Sequence, residues 1–133
     1  MKYLLDTNTC IYLIKKQYPE ILSKLLRVGF DKIGLSTITL AELEYGVANS
    51  NRSIEVQTAL LGFILPFEIL DFNYNAASFY GKIRKELKDK GQPISDMDML
   101  IASVAMANER IVVTNNEKEF RRISGLKIEN WKN

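Results

Sequence analysis

The sequence predicts an α/β fold, a three-layer α/β/α domain with a central parallel sheet of four or five strands. Short apolar runs such as Tyr3–Leu5 and Ile111–Val113 are typical of strands buried on both faces. Longer segments with helical periodicity separate these runs, and strands that alternate with helices imply right-handed crossovers. The length of 133 residues, 47% of them hydrophobic, predicts one domain, 1–133.

The first strand and the first helix meet at Asp6. Tyr3–Leu5 form the strand, and the apolar run stops abruptly at this acid. Thr7 and Asn8 are the expected caps of a helix at 9–16, which ends in two lysines. A carboxylate is therefore expected at the exit of a buried strand.

The middle of the chain continues the alternation. Pro19 begins a second helix, which Gly29 ends, and Pro66 ends a later one. The predicted elements here are a helix at 19–28, a strand at 33–36, a helix from about 40 to 48, a helix at 53–65 and a strand at 67–70.

The last third of the chain contains two more long helices. Asn73 or Asn75 caps the first of them, and Ser95 caps the second. Trp131 is expected to pack at the margin of the domain. The predicted elements are helices up to residue 90 and through residue 108, a strand at 111–113, an exit turn at 114–116, a helical turn at 118–122 and an edge strand at 127–129.

Composition restricts the chemistry. The apolar runs are too short to span a bilayer and no basic leader precedes them, so we expect a soluble cytoplasmic protein without a membrane partner. Cys10 is the single cysteine, which excludes an internal disulfide and is interpreted as a small buried side chain. The absence of histidine removes Ser-His and Cys-His nucleophiles and imidazole zinc sites. Catalysis should rest on carboxylates.

Polar side chains follow several of the predicted strands. Ligands bind parallel sheets outside the carboxyl ends of the strands, where strand order reverses. Asp6 ends the first strand, Glu42 is expected in the first turn of the third helix, and Asp96 and Asp98 open the helix before the fourth strand. Asn116 follows that strand. One edge of the sheet would gather these oxygen ligands.

Each acid also has a structural interpretation. Thr39 to Glu42 has the spacing of a capping box, and Ser95 to Asp98 nearly has it, so these acids would only satisfy helix amino termini. Asp6 differs, because an acid directly after a buried strand is desolvated and no local partner is evident. We favour a functional role for Asp6.

Taken together, the acids predict a cation. Converging carboxylates raise one another's pKa values, whereas a divalent ion favours their ionisation. Ligands that are all oxygen select Mg²⁺ or Mn²⁺ over zinc. Such an ion can activate water against a phosphate, which predicts metal-assisted phosphodiester hydrolysis that leaves a 3′-hydroxyl and a 5′-phosphate.

Basic and aromatic side chains suggest where nucleic acid would lie. Arg84 and Lys88 are one turn apart on an outward helix face, and Arg121 and Arg122 follow the proposed edge of the sheet. A solvated helix surface is the alternative interpretation for the first pair. The rings of Tyr12 and Tyr45 have two interpretations as well, stacking on unpaired bases or packing within the protein.

Four stretches, in order and spacing, resemble the PIN-domain toxins of the VapC type. They are LLDTNTCIYLI (4–14), STITLAELEYG (36–46), PISDMDMLIA (93–102) and VVTNNEKEF (112–120). The resemblance covers essentially the whole chain. It implies a PIN fold and a Mg²⁺-dependent ribonuclease, with Mn²⁺ as a substitute, that is the toxin of a toxin–antitoxin pair. It also implies a homodimer, a VapB-type antitoxin and, from the most similar members, cleavage of initiator tRNA in its anticodon region.

The resemblance also implies roles for residues. Asp6 and Asp98 match the principal metal ligands and Glu42 the third acid of the family, while Thr7 and Thr114 are assigned supporting roles. Two positions depart from the pattern. Asp96 is an extra acid where many relatives have Pro-Ile-Gly-Pro, and its role as cap, outer contact or ligand stays open. Asn116 replaces a fourth Asp of other branches and supplies no charge, which leaves a second metal site in doubt.

Two other functions compete with the ribonuclease. An Asp-nucleophile phosphatase would also place Asp6 after a first strand, but that chemistry wants an acid two residues later, where Asn8 stands. In a non-catalytic interaction module, the acids would serve only as helix caps.

Overall fold

A computed structural model describes residues 1–132 and contains a five-stranded, fully parallel sheet. The strand order is β3-β2-β1-β4-β5, so β1 is central and the order reverses beside it. The predicted three-layer α/β/α fold is confirmed, with the larger of the two expected strand numbers. The strands are β1 (Tyr3–Leu5), β2 (Ile33–Ser36), β3 (Glu68–Leu70), β4 (Ile111–Val113) and β5 (Ile128–Glu129).

Seven α-helices connect the strands within this part of the chain, together with a 3₁₀ turn at Phe30–Lys32. The helices are α1 (Thr7–Ile14), α2 (Pro19–Val28), α3 (Thr37–Ala48), α4 (Ser53–Ile64), α5 (Tyr74–Lys90), α6 (Asp96–Ala107) and α7 (Glu117–Phe120). No helix in the described residues is long and apolar enough to cross a membrane.

The sheet separates two hydrophobic cores because successive strand residues point to opposite faces. Leu5 faces α1 to α4, whereas Leu4 and Val112 face α5 to α7, and all three side chains are fully buried. In the parallel register Leu5 lies opposite both Leu35 and Val113. The three central strands therefore end at the same level, and the residues that follow them meet at one edge.

The packing residues predicted from the sequence are confirmed. Cys10 is buried and unpaired in the first core. Trp131 is buried against Tyr3, with ring centroids 5.3 Å apart and planes at 63°. This edge-to-face contact holds the carboxyl-terminal segment at the start of β1.

The opposite edge of the sheet, where strands begin, contains a buried arginine in an ion pair with a half-exposed glutamate. Arg110 is 6% exposed; its Nη2 donates to Glu68 Oε1 at 2.6 Å and its Nη1 to the Tyr3 carbonyl at 3.3 Å. The guanidinium passes over Gly34, where an added Cβ would lie 2.9 Å from Nη1. Glycine at this position leaves the space that the arginine occupies.

Two helix starts differ from the predictions. Helix α1 begins at Thr7, and its cap is Asp6 rather than Thr7 or Asn8. Helix α3 begins at Thr37, and its cap is Ser36, so the capping box predicted at Thr39–Glu42 is wrong. In both regions a side chain at the end of the strand accepts the free helix N–H: Asp6 directly follows β1, and Ser36 is the last residue of β2. Each strand passes into its helix without a loop.

The remaining differences are small. Asn73 and Ser95 are the caps of α5 and α6. The other predicted bounds are shifted by one or two residues, which is the usual fraying of element ends.

Candidate functional site

A cavity of about 530 Å³ opens at the carboxyl edge of the sheet, beside the reversal of strand order. Three acids from three different elements line it: Asp6 after β1, Glu42 on α3 and Asp98 on α6. The other lining residues are Thr7, Asn8, Ile11, Ala41, Tyr45 and Met97. The structure thus brings together the three principal acids that the sequence predicted, and we call this cavity the acid pocket.

Asp6 is fixed at the base of the acid pocket. Its side chain is 4% exposed, and its Oδ1 accepts the Thr9 N–H at 2.9 Å. Burial raises the pKa of this carboxyl and Glu42 raises it further, while hydrogen bonds from Thr114 and Thr9 lower it. The local partner that sequence analysis did not find is therefore the first turn of α1. Asp6 caps that helix and still lines the pocket.

Glu42 lies in the second turn of α3, not the first. Thr7 Oγ1 is hydrogen-bonded to Glu42 Oε1 at 2.5 Å and lies 3.2 Å from Thr39 Oγ1. Because Ser36 accepts the Thr39 N–H at 3.1 Å, Glu42 is not needed as a cap. The supporting role predicted for Thr7 thus has a concrete contact, which holds the Glu42 carboxylate towards α1.

Asp98 occupies the first turn of α6, and its carboxylate is half-buried. The Ser95 hydroxyl accepts the Asp98 N–H at 3.2 Å and caps the helix, so the Asp98 carboxylate is not the cap. Burial raises the pKa of Asp98 to about 6, and the negative charges of Asp6, Glu119 and Glu42 contribute to this rise. Such an acid is held near others at a cost in free energy that a cation would offset.

Thr114 and Asn116 follow the end of β4 and lie beside these acids. Asn116 Nδ2 donates to Glu119 Oε2 at 3.0 Å and lies 3.4 Å from Asp98 Oδ2. Thr114 Oγ1 accepts the Asn116 N–H at 2.9 Å. The neutral amide of Asn116 thus separates two carboxylates and orients Asp98.

Sequence analysis did not single out Glu119. It lies on α7, three residues after Asn116, and its charge raises the pKa of Asp98. Asn116 precedes α7 and Glu119 is the third residue of that helix, so this short sequence separation is the signal that could have brought Glu119 to the site.

Asp96 lies outside the acid pocket. It lines a second groove of about 380 Å³, together with Arg84 and Lys88 of α5. Positions 96 and 98 are about 200° apart around a helix axis, so the two acids face opposite sides of the first turn of α6. Of the roles left open for Asp96, direct ligation in the acid pocket is the one that this placement does not support. We call this second site the α5–α6 groove.

The two other arginines predicted to contact RNA are engaged within the protein. Arg121 Nη2 forms an ion pair with Glu117 Oε1 at 2.7 Å. Arg122 Nη1 donates to the Pro93 carbonyl at 2.8 Å. Arg84 donates to the Tyr80 hydroxyl at 3.0 Å, yet still lines the α5–α6 groove.

The donor set of the acid pocket fits a hard divalent cation. Asp6, Glu42 and Asp98 offer only oxygen atoms, which suit Mg²⁺ or Mn²⁺. Within residues 1–132, no three Asp, Glu or Cys side chains are close enough together to enclose an ion by themselves. Mg²⁺ keeps several waters and binds only one or two protein carboxylates directly, so an ion in this pocket would contact some of the three acids through water.

Comparison with known sequences identifies the family. The PIN domain profile matches residues 3–126. The chain is 44% identical over 132 residues to Ribonuclease VapC2 of Rickettsia felis, and 41% identical over 131 residues to the tRNA(fMet)-specific endonuclease VapC of Salmonella typhimurium. Each match covers 98% of both chains.

Solved structures agree. The structure of VapBC2 from Rickettsia felis bound to a promoter DNA fragment contains a chain that matches with a TM-score of 0.93 and 43% identity, over 99% of this chain and 100% of that chain. A chain of DNA-bound VapBC from Salmonella typhimurium matches with a TM-score of 0.93 and 40% identity, over 98% of both chains.

Proposed function

The chain belongs to the PIN-domain family, in its VapC branch, and from this membership we propose that it is a Mg²⁺-dependent endoribonuclease and the toxin of a toxin–antitoxin pair. The observation that carries the proposal is the convergence of Asp6, Glu42 and Asp98 in one pocket. Relatives at 44% and 41% identity are named a ribonuclease and an endonuclease, which supports the same chemistry.

The roles of the residues follow from their contacts. Asp6, Glu42 and Asp98 would hold the ion, with Asp6 fixed by the Thr9 N–H and Glu42 by Thr7. When bound, Mg²⁺ lowers the pKa of water and offsets negative charge on a phosphate. Hydrolysis by water would leave a 3′-hydroxyl and a 5′-phosphate.

Asp6→Asn is the sharpest test of this activity. We expect RNA cleavage by the wild-type protein in Mg²⁺ or Mn²⁺, none with EDTA, and none by the Asp6→Asn variant. Asn retains an oxygen that can cap α1, so the fold should be unchanged by circular dichroism. Cleavage by Asp6→Asn at the wild-type rate, or cleavage in EDTA, would show that the acid pocket is not the catalytic site.

The substrate we propose is tRNA, specifically the anticodon region of the initiator tRNA. The support is the 41% identity to a protein named a tRNA(fMet)-specific endonuclease. Sequencing of RNA 5′ ends after brief induction in cells should show one dominant new end in that region. Ends scattered over messenger RNA would contradict this choice of substrate.

The partners we propose are a VapB-type antitoxin and a second copy of this chain. Three similar structures are of VapBC assemblies, at 43%, 40% and 36% identity. Co-expression with the product of a small neighbouring reading frame should abolish growth inhibition and yield a stable complex. The homodimer stays a prediction, for which light scattering of the purified toxin should give twice the mass of one chain.

A further inference from the structure

Two large side chains at the mouth of the acid pocket are exposed to solvent. Tyr45 on α3 is 70% exposed and Met97 on α6 is 44% exposed, and both line the pocket beside Asp6 and Asp98. The Tyr45 side chain has no hydrogen-bond, ring or cation partner among the described residues. The fold therefore gains little from this ring.

Several other aromatic side chains of the protein are packed against another ring. Tyr3 contacts Trp131, Tyr12 contacts Tyr18 at 4.9 Å between ring centroids, and Phe72 contacts Tyr80. Of the two interpretations of Tyr12 and Tyr45, internal packing is thus correct for Tyr12. It does not hold for Tyr45.

We infer that Tyr45 and Met97 form a stacking site for one unpaired base of the RNA, next to the phosphate on which the acids act. This inference rests on the proposed ribonuclease activity. A nucleobase is flat and uncharged and presents a π face to an aromatic ring, while a thioether makes favourable contacts with ring edges. The carboxylates of the pocket repel a second phosphate at its mouth but leave a neutral base unopposed.

The position of the two side chains couples base binding to the chemistry. Tyr45 follows Glu42 by three residues on α3, so both lie on one helix face. Met97 directly precedes Asp98 on α6. A base held between these residues binds the RNA with the adjoining phosphodiester beside the acids. Tyr45 is a positioning residue in this scheme, and its loss weakens substrate binding without removing a catalytic group.

The experiment compares Tyr45→Ala, Tyr45→Phe and the control Tyr74→Ala. Tyr74 is 90% exposed and lies at the start of α5, away from the pocket. The substrate is a synthetic stem-loop with the anticodon arm of initiator tRNA, or the arm identified by 5′-end sequencing if that differs. We expect KM to rise about tenfold in Tyr45→Ala, the effect of losing one stacked base, with kcat unchanged. Tyr45→Phe and Tyr74→Ala should keep the wild-type KM.

Abasic substrates make the test specific. An abasic nucleotide at the stacked position, next to the cleaved bond, should raise KM in the wild type and have no further effect in Tyr45→Ala, because both changes remove the same contact. Additive effects at every abasic position, or an unchanged KM in Tyr45→Ala, would overturn the stacking site alone. A wild-type protein that cleaves no RNA would overturn the proposed function and the stacking site together. Loss of antitoxin binding by Tyr45→Ala with an unchanged KM would show that a protein partner covers this ring instead.

Discussion

Asp6 combines two tasks that are usually separate, since it caps α1 and also lines the acid pocket. The Thr9 N–H and the Thr114 hydroxyl stabilise its charged form, but burial still raises its pKa. As the cap of α1, Asp6 stabilises the fold. Its buried negative charge beside Glu42 destabilises the fold. The two effects oppose each other, and substitution separates them.

We predict that Asp6→Asn does not lower the stability of the metal-free protein. Asn caps helices about as well as Asp, and the neutral amide removes a buried charge. Thermal unfolding in EDTA should give a midpoint equal to or above that of the wild type. Asp6→Leu is the matched comparison, because it loses the cap and should be less stable by about 1 kcal/mol. A lower midpoint for Asp6→Asn would show that the charged carboxylate contributes to the fold.

The raised pKa of Asp98 predicts how the stability of the metal-free protein changes with pH. Its pKa is raised from 3.8 to about 6 in the folded protein, so the folded state binds more protons than the unfolded state between these values. Stability of the metal-free protein should therefore fall as the pH rises from about 4 to about 6, and change little above that. Chemical denaturation across this range should show the trend in the wild type and a weaker trend in Asp98→Asn. Equal slopes in both proteins would contradict the assignment.

The two acids in the first turn of α6 lie in different surroundings. Asp98 faces the acid pocket, and Asp96 faces the α5–α6 groove with Arg84 and Lys88. A phosphate of RNA in this groove would be attracted by the two cations and repelled by Asp96. Asp96 thus weakens a contact that its neighbours favour.

Substitutions in the α5–α6 groove should change RNA affinity in opposite directions. Filter binding would measure the RNA affinity of each variant in the Asp6→Asn background, which we expect not to cleave RNA. Lys88→Gln should weaken binding and reduce the salt slope by roughly one, whereas Asp96→Asn should strengthen binding. Lys85→Gln is the control, because Lys85 pairs with Asp89 on the exposed surface. Identical affinities for all variants would place the RNA elsewhere.

A substitution of Gly34 in β2, at the edge of the sheet opposite to the acid pocket, should lower the stability of the protein. An alanine at Gly34 would put a Cβ 2.9 Å from Arg110 Nη1, and the buried guanidinium is held by Glu68 and the Tyr3 carbonyl. Overpacking of this kind destabilises by about 1–3 kcal/mol. Urea unfolding of Gly34→Ala should show this loss. Gly62→Ala is the control, because an added Cβ has open space there and alanine in helix α4 should raise stability by up to about 1 kcal/mol. A midpoint equal to the wild type would mean that Arg110 moves freely.

The positions of the helices and strands could be predicted from the sequence, but two of the helix caps could not. Buried runs and helical spacing predicted each strand and helix within a few residues, because these patterns are set by burial on two faces. Cap assignments at Asp6 and Ser36 were missed, since Ser, Thr, Asp and Asn crowd both boundaries and each can accept the same N–H. Tertiary hydrogen bonds decide between them, as between Thr7 and Glu42. Ser95 is the predicted cap of α6, so helix geometry already places Asp96 and Asp98 on different sides. Only the packing of α6 in the fold shows which of the two acids lines the acid pocket.

The acid pocket is a property of the whole sheet. Asp6, Glu42 and Asp98 are separated widely in sequence, and within residues 1–132 no group of acids is close enough together to enclose an ion by itself. The parallel register and the reversal of strand order bring their elements to one edge. Like charges gathered in this way oppose folding, and an ion at the pocket would reverse the sign of that contribution.

Mg²⁺ should therefore stabilise the folded protein through these acids. Binding to the folded state alone adds about 2.7 kcal/mol when the free ion is at a hundred times its Kd. The thermal midpoint of the wild type should rise by several degrees in saturating Mg²⁺ at pH 7.5, and the rise should fade below pH 6 as Asp98 takes up a proton. Asp98→Asn should show little or no rise. Asp96→Asn should respond like the wild type, because Asp96 lies outside the acid pocket. An equal loss of response in both variants would mean that the ion binds by the general charge of this region and not at the three converging acids.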